Sequence, residues 1–166
     1  TVGWAFAAFT TKSAVYVRAQ AFPGAMILAW AGAIMTVYGV VFAVLENDMR
    51  RLLGYHIISQ VGYMVCGVGV GTALAVNGSS AHAFCHIFYK GLLLMAVGAV
   101  IHATGRGKLS ELGNLARPLR WTFLLMLIGG FSISGVPLFN GFTSKALVIS
   151  GAVKAHLGAI EMLLVV

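Results

Sequence analysis

An all-α polytopic membrane protein is the fold class that this sequence predicts, and three observations predict it. Hydrophobic residues make up 60% of the 166-residue chain and charged residues only 9%, against about 25% charged in an ordinary soluble domain. The mean hydropathy is +0.94. The apolar residues fall into runs of about twenty, the length that a helix needs to cross a bilayer. A soluble chain could not cover its surface with this composition, and a disordered one would be far less apolar. There is room for five to six transmembrane helices, one of them broken.

The first run, Thr1 to Ala19, is apolar apart from Thr10, Thr11, Lys12 and Ser13 in its middle and Arg18 near its end. Pro23-Gly24 signals a turn. A second run, Ala25 to Leu45, is uncharged and ends at Glu46-Asn-Asp-Met-Arg-Arg51. A third, Leu52 to Val76, carries Gly67 and Gly71 four apart, a spacing that lets helix backbones approach closely in a membrane. Asn77-Gly-Ser-Ser80 is read as the next turn. The fourth run, Ala81 to Ala103, holds His82, His86 and Lys90, and a polar loop from Thr104 to Arg120 comes after it. The fifth starts at Trp121 and is interrupted by Gly129-Gly130, Gly135, Pro137, Asn140 and Gly141 before apolar character resumes from Phe142 to Val153. That stretch is too long for one straight span. A broken helix accounts for it, because unwound backbone at membrane depth is tolerated where it lines a cavity. A sixth run begins near His156. Both ends of the chain lie within apolar runs, so it is expected to be an internal piece of a longer protein.

Eleven Lys and Arg face four Asp and Glu, a formal net charge of +7. In a soluble protein such a balance points to nucleic acid. Here the basic residues sit mostly in loops, so the expected partner is the lipid bilayer and no nucleic acid. The Glu46–Arg51 and Thr104–Arg120 loops carry six Lys or Arg, and the Asn77–Ser80 segment between them none. The positive-inside rule puts the two charged loops on the cytoplasmic side. Arg18 and Lys154 are modest exceptions. Cys66 and Cys85 form no CxxC pair.

The informative residues are charges inside spans. Lys90 lies about ten residues from either end of its run, some ~15 Å of helix, too deep to snorkel comfortably to an interface. A charge at the bilayer centre costs at least ~2.5 kcal/mol on insertion scales, so it faces the bundle interior or water and is functional by default. Lys12 makes the same case in the first run. His82, His86 and Lys90 are spaced i, i+4, i+8 and share one slowly drifting face over ~12 Å of helix. A row of groups that accept and release protons is what a relay needs. The same row could instead be histidines bonded to neighbouring helices, with Lys90 paired to a carboxylate elsewhere. Metal or haem is a third reading, with His56 and His102 as partners, but no Cys cluster or carboxylate completes a site, and no cofactor or metal is expected. Lys145 follows the helix break, where a half-helix terminus sets a dipole beside a titratable charge; alternatively it snorkels. His56, His102 and His156 are placed near interfaces, and Tyr16, Tyr63 and Tyr89 as packing or belt residues. Glu161 falls in the last run. No phosphate loop, nucleophile elbow or HExxH is present.

Four segments, in order, carry a family resemblance: Thr11-Lys12-Ser-Ala-Val-Tyr16; Asp48-Met-Arg-Arg-Leu-Leu-Gly-Tyr55 with Ile58-Ser-Gln-Val-Gly-Tyr63; His82-Ala-Phe-Cys-His86-Ile-Phe-Tyr-Lys90; and Gly135-Val-Pro137 with Gly141-Phe-Thr-Ser-Lys145. The chain resembles the antiporter-like proton-translocating subunits shared by respiratory complex I and Mrp-type Na⁺/H⁺ antiporters, and is most similar to the D-type branch of the Mrp subunits. Gly54 and His56 stand where alanine and serine are usual, and Leu138 where a second proline is frequent. The resemblance implies an inverted-repeat fold of about fourteen helices. Residues 1–20 would end the first repeat and residues 25–166 would form most of the second, together a single transmembrane domain. Lys12 would join two half-channels, His82, His86 and Lys90 would continue the relay, and Lys145 would be the terminal proton donor.

The function so expected is proton translocation within a multi-subunit Na⁺ or K⁺/H⁺ antiporter of the inner (plasma) membrane, alongside other membrane subunits. The alternatives are a redox-driven pump, in an NADH-quinone oxidoreductase or a membrane-bound hydrogenase, and a non-transporting scaffold or haem-binding set of helices.

Overall fold

The computed structural model describes residues 24–115 and 117–164. The first run, with Lys12, Tyr16 and the end of the expected first repeat, lies outside the described residues. The described chain is helical: α1 (Ala25–Leu45), α2 (Met49–Val70), α3 (Ala73–Thr104), a short 3₁₀ turn (Leu109–Glu111), α4 (Arg120–Ser134), α5 (Asn140–Lys154) and α6 (Gly158–Leu164). The first three are long and apolar enough to cross a membrane.

One boundary differs from the sequence-based expectation. The segment Asn77–Ser80 is not a turn but part of α3, a 32-residue helix. The chain reverses earlier, at Gly71-Thr72. Gly71 closes α2 at φ 71°, a left-handed conformation that glycine adopts without a Cβ penalty. Thr72 then starts α3 by accepting the Ala75 amide at 3.2 Å. Ser79 and Ser80 remain helical because their hydroxyls donate to the carbonyls four residues back, at 2.9 and 3.0 Å. Lys90 therefore stands about midway along α3.

The other end of α2 and α3 is tied. Asp48 caps α2, accepting the Arg50 and Arg51 amides at 2.8 and 3.3 Å. The Asn47 side chain donates to Ser110 Oγ at 2.9 Å and accepts the Ser110 amide at 3.2 Å. The Met49 amide donates to the Gly107 carbonyl and the Leu109 amide to the Asn47 carbonyl. The two basic loops thus meet at one end of the bundle, as the charge pattern requires of loops on one side of a membrane.

Between helices in lipid no hydrophobic force drives association, so close van der Waals contact must do it. Small residues make that contact. Along α1 and α2, a side chain at Gly39 would lie 2.6 Å from the Ser59 amide nitrogen, and one at Gly62 would lie 2.7 Å from the Gly32 carbonyl oxygen. Helix α3 runs through the centre and packs on α2, α4 and α5, while α6 returns against α1. The outward faces are apolar: on α3, Ile87 is 69% and Met95 72% exposed, whereas Lys90 is 4%. Polar residues lie inside and apolar ones outside, the distribution that a bilayer selects.

The expected broken helix is present. It ends at Gly135, φ 75°, where the Val136 amide reaches back to the Phe131 carbonyl and the Gly135 amide to the Ser132 carbonyl. Helix α5 restarts at Asn140, whose side chain is hydrogen-bonded by the Ser132 hydroxyl. Leu138 between them has φ 84°, a value that proline cannot reach.

Substituting Gly62→Val drives a branched side chain into backbone and is expected to cost about 1–3 kcal/mol or more. Gly54→Ala, where an added Cβ meets nothing within 4 Å, is the control. Thermal unfolding of the purified full-length protein should show a lower midpoint for the first and an unchanged one for the second. Equal midpoints would contradict the α1–α2 contact.

Candidate functional site

The buried face of α3 carries His82, His86, Tyr89 and Lys90 in successive turns, all shielded from the exterior. His82 is 0% exposed and sits where α2, α3 and α5 meet. Its Nε2 lies 2.8 Å from Gln60 Oε1, and its Nδ1 2.9 Å from Ser144 Oγ. With the Gln60 oxygen as acceptor, Nε2–H donates and Nδ1 accepts from the serine hydroxyl. Ser144 also has the Asn140 and Gly141 carbonyls within 3.3 and 3.2 Å. A second proton on His82 Nδ1 would turn the serine hydroxyl to one of those carbonyls and leave every group bonded. The site can therefore hold the histidine either neutral or cationic without orphaning a partner, which a proton carrier requires.

Tyr89 completes this cluster. Its hydroxyl lies 3.5 Å from His82 Nε2, and its ring stands edge-on to His86, with centroids 5.3 Å apart. The His82 and His86 rings are 6.2 Å apart, centroid to centroid. Lys90 donates to the Leu53 carbonyl of α2 at 3.2 Å. Among the described residues no carboxylate pairs with it; the ion pair they contain, Lys108 with Glu111 at 3.8 Å, is in the polar loop.

Lys145 owes its position to the helix break. In an unbroken helix the Ile133 carbonyl would accept the amide of residue 137. That residue is Pro137, which has no N–H. The carbonyl is left over at the C-terminal, negative end of α4, and the Lys145 ammonium donates to it at 2.9 Å. Lys145 does not snorkel. Its side chain lines a cavity of about 340 Å³ together with His56, Ser59, Gln60 and Tyr63 of α2 and Thr36 of α1.

Thus the structure places His82, His86 and Lys90 in one buried row, and Gln60, which touches His82, lines the same cavity as Lys145. Several participants carry no mark in the sequence. Gln60 and Ser144 give no charge signal, although each lies on a face of its helix shared with other polar residues. His56 faces inward: its Nδ1 is buried and it lines the cavity with Lys145. Tyr63 and Tyr89 are not belt residues, being 3% exposed. His102 and His156 are exposed. Among the described residues no group of three His, Cys, Asp or Glu side chains could hold a metal ion.

A family model described as the NADH:quinone oxidoreductase/Mrp antiporter transmembrane family matches residues 3–166. The D-type subunit of the Na⁺/H⁺ antiporter of Alkalihalophilus pseudofirmus is 37% identical over 147 residues, covering 89% of this chain and 30% of its own length. The solved Mrp complex from a Dietzia species superposes with a TM-score of 0.78 at 32% identity, over 84% of this chain and 16% of that one. An archaeal respiratory complex, the membrane-bound sulfane sulfur reductase, gives 0.81 at 31% identity, over 84% and 23%. The chain therefore spans less than a third of the length of these relatives.

Replacing Gln60 by Leu would leave the His82 N–H without its acceptor, at a cost of about 1–3 kcal/mol. The thermal midpoint of the purified full-length protein should fall accordingly, and Gln60→Glu, which restores an acceptor, should recover part of the loss. A Leu variant as stable as the original would show that the bond is not formed.

Proposed function

The chain belongs to the NADH:quinone oxidoreductase/Mrp antiporter transmembrane family, and on that premise we propose that it is part of the proton-translocating subunit of a multi-subunit Na⁺ (or K⁺)/H⁺ antiporter. The observation that carries the reading is the buried row Lys90, His86 and His82 on α3, with His82 bonded to Gln60 and Ser144, and Gln60 lining the same cavity as Lys145 at the break. Lys12 would extend it toward the first repeat, and residues 25–166 would make up most of the second. The subunit would sit in the inner (plasma) membrane with other membrane subunits.

The mechanism follows from the packing. His82, Lys90 and Lys145 are held by amide, hydroxyl and carbonyl groups and not by carboxylates, and His86 Nε2 is buried without a partner among the described residues, so no charge on the row is cancelled locally. Like charges repel strongly where water is scarce. A proton arriving on one group therefore drives its neighbour's proton onward. Side chains and hydroxyls rotate, and the helices stay where they are. Lys145, at the negative end of a half-helix, would be the last group to hold the proton.

Redox-driven pumping is the second reading, favoured by the equally good superposition on a respiratory complex. The same relay would serve, with different partner subunits and a different energy source.

In everted vesicles carrying the full-length parent complex and energised by respiration, added Na⁺ or K⁺ should collapse ΔpH. Lys90→Ala should abolish that response, with the complex still assembled. If the cation has no effect in the unsubstituted complex, the antiporter reading yields to the redox pump. A Lys90→Ala variant with normal transport would remove the relay from both.

A further inference from the structure

The proposed relay uses one face of α3 and the break before α5. It does not use His56, Ser59 and Tyr63, which stand with Gln60 at i, i+3, i+4 and i+7 on one face of α2. That spacing lines up side chains along a helix. His56 Nδ1, Ser59 Oγ and Tyr63 Oη are buried and have no hydrogen-bond partner within the described residues. Ser59 is 1% and Tyr63 3% exposed. Unpartnered polar atoms this deep are rare, because each costs about 1–3 kcal/mol. Here all three residues line the same cavity of about 340 Å³, and Lys145 lines it too. The space is large enough for several waters, and its walls supply the two to four polar contacts that a buried water needs.

We infer that this cavity is a hydrated chamber and that His56 is a further proton-carrying residue, exchanging protons with Lys145 through water held by Ser59 and Tyr63. The step balances simply. One proton leaves the Lys145 ammonium for a water, and the water passes a proton to the His56 imidazole. The lysine becomes neutral and the histidine cationic, and no other bond changes. The reverse step returns the charge. Among the described residues, the charged and titratable groups near enough to act on His56 are Lys90 and His86 from α3 and Lys145 from α5. On α2 itself Tyr63 faces the same space, and α1 contributes the hydroxyl of Thr36. All three charged neighbours are basic. His56 therefore gains or loses its proton according to how many of them are charged, which makes it a junction between the Lys90 and Lys145 ends of the path.

The inference rests on the relay reading, and the test separates the two. Transport is followed by ΔpH collapse in vesicles carrying the full-length complex, with complex amounts checked by immunoblot. Lys90→Ala tests the relay; if it transports normally, the relay reading fails and this inference with it. If Lys90→Ala is inactive, His56→Gln decides. Glutamine keeps size and hydrogen bonding but cannot ionise. The expected result is an initial rate lower by about a hundredfold or more, the low side of what a positioned proton-transfer group supplies. The pH dependence of the rate should also flatten, because the group that titrates is gone. A merely structural role would not flatten it. A His56→Gln complex with the original rate and pH profile overturns the inference and leaves the relay standing. If His56→Gln fails to assemble, Ser59→Ala with Tyr63→Phe takes its place, removing two hydroxyls with almost no change in volume. A severalfold slower rate supports the chamber, and an unchanged rate overturns it.

Discussion

In a bilayer a polar group inside the protein has to be satisfied by the protein itself or by water that the protein admits. The buried face of α3 sets that requirement for the whole bundle. His82, His86 and Lys90 lie on the inward face of a helix whose outward face carries the exposed Ile87 and Met95. Their partners must come from neighbouring helices, and the neighbours are placed accordingly. Gln60 brings α2 to His82, the Leu53 carbonyl brings α2 to Lys90, and Ser144 brings α5. Rotating α2 or α5 by a residue would break the bonds that hold His82 and Lys90.

The small residues make the arrangement possible. Glycine and alanine let α1 lie against α2 and α5 against α3 with backbones nearly touching. Tight contact on those faces leaves room between α2 and the break, where polar side chains converge. Packing and chemistry are thus divided between faces of the same helices. The faces without bulky side chains hold the bundle together, and the others carry hydrogen-bonding groups.

Much of this is legible in the sequence, for physical reasons. Apolar runs report spans because lipid tolerates little else. The i, i+4, i+8 spacing of His82, His86 and Lys90 reports a shared face because helix periodicity is rigid. Gly135 and Pro137 report the break because one favours a left-handed residue and the other removes a donor. A turn at Asn77–Ser80 is the wrong expectation because asparagine, glycine and serine are turn residues in water, while in a buried helix serine hydroxyls can bond back along the chain. Gly71, which the spacing marks as a packing glycine, is in fact the reversal itself. The neutral partners are silent because an amide or a hydroxyl reveals its role only once its neighbour across the interface is known. Distance from the charged boundary estimates the depth of His56 but does not tell which way its face points.

The hydrogen bonds that join Asn47 to Leu109 and Ser110, and Met49 to Gly107, act as a clasp across the ends of α2 and α3. A clasped pair of helices resists sliding and twisting, the slow collective motions of the microsecond-to-millisecond range. It leaves free the rotation of single side chains, which is orders of magnitude faster. The clasp thus assigns the molecule a tempo. In the proposed relay the frame would keep its shape while the groups inside it reorient, so that charge hopping would set the pace and not bending of the scaffold.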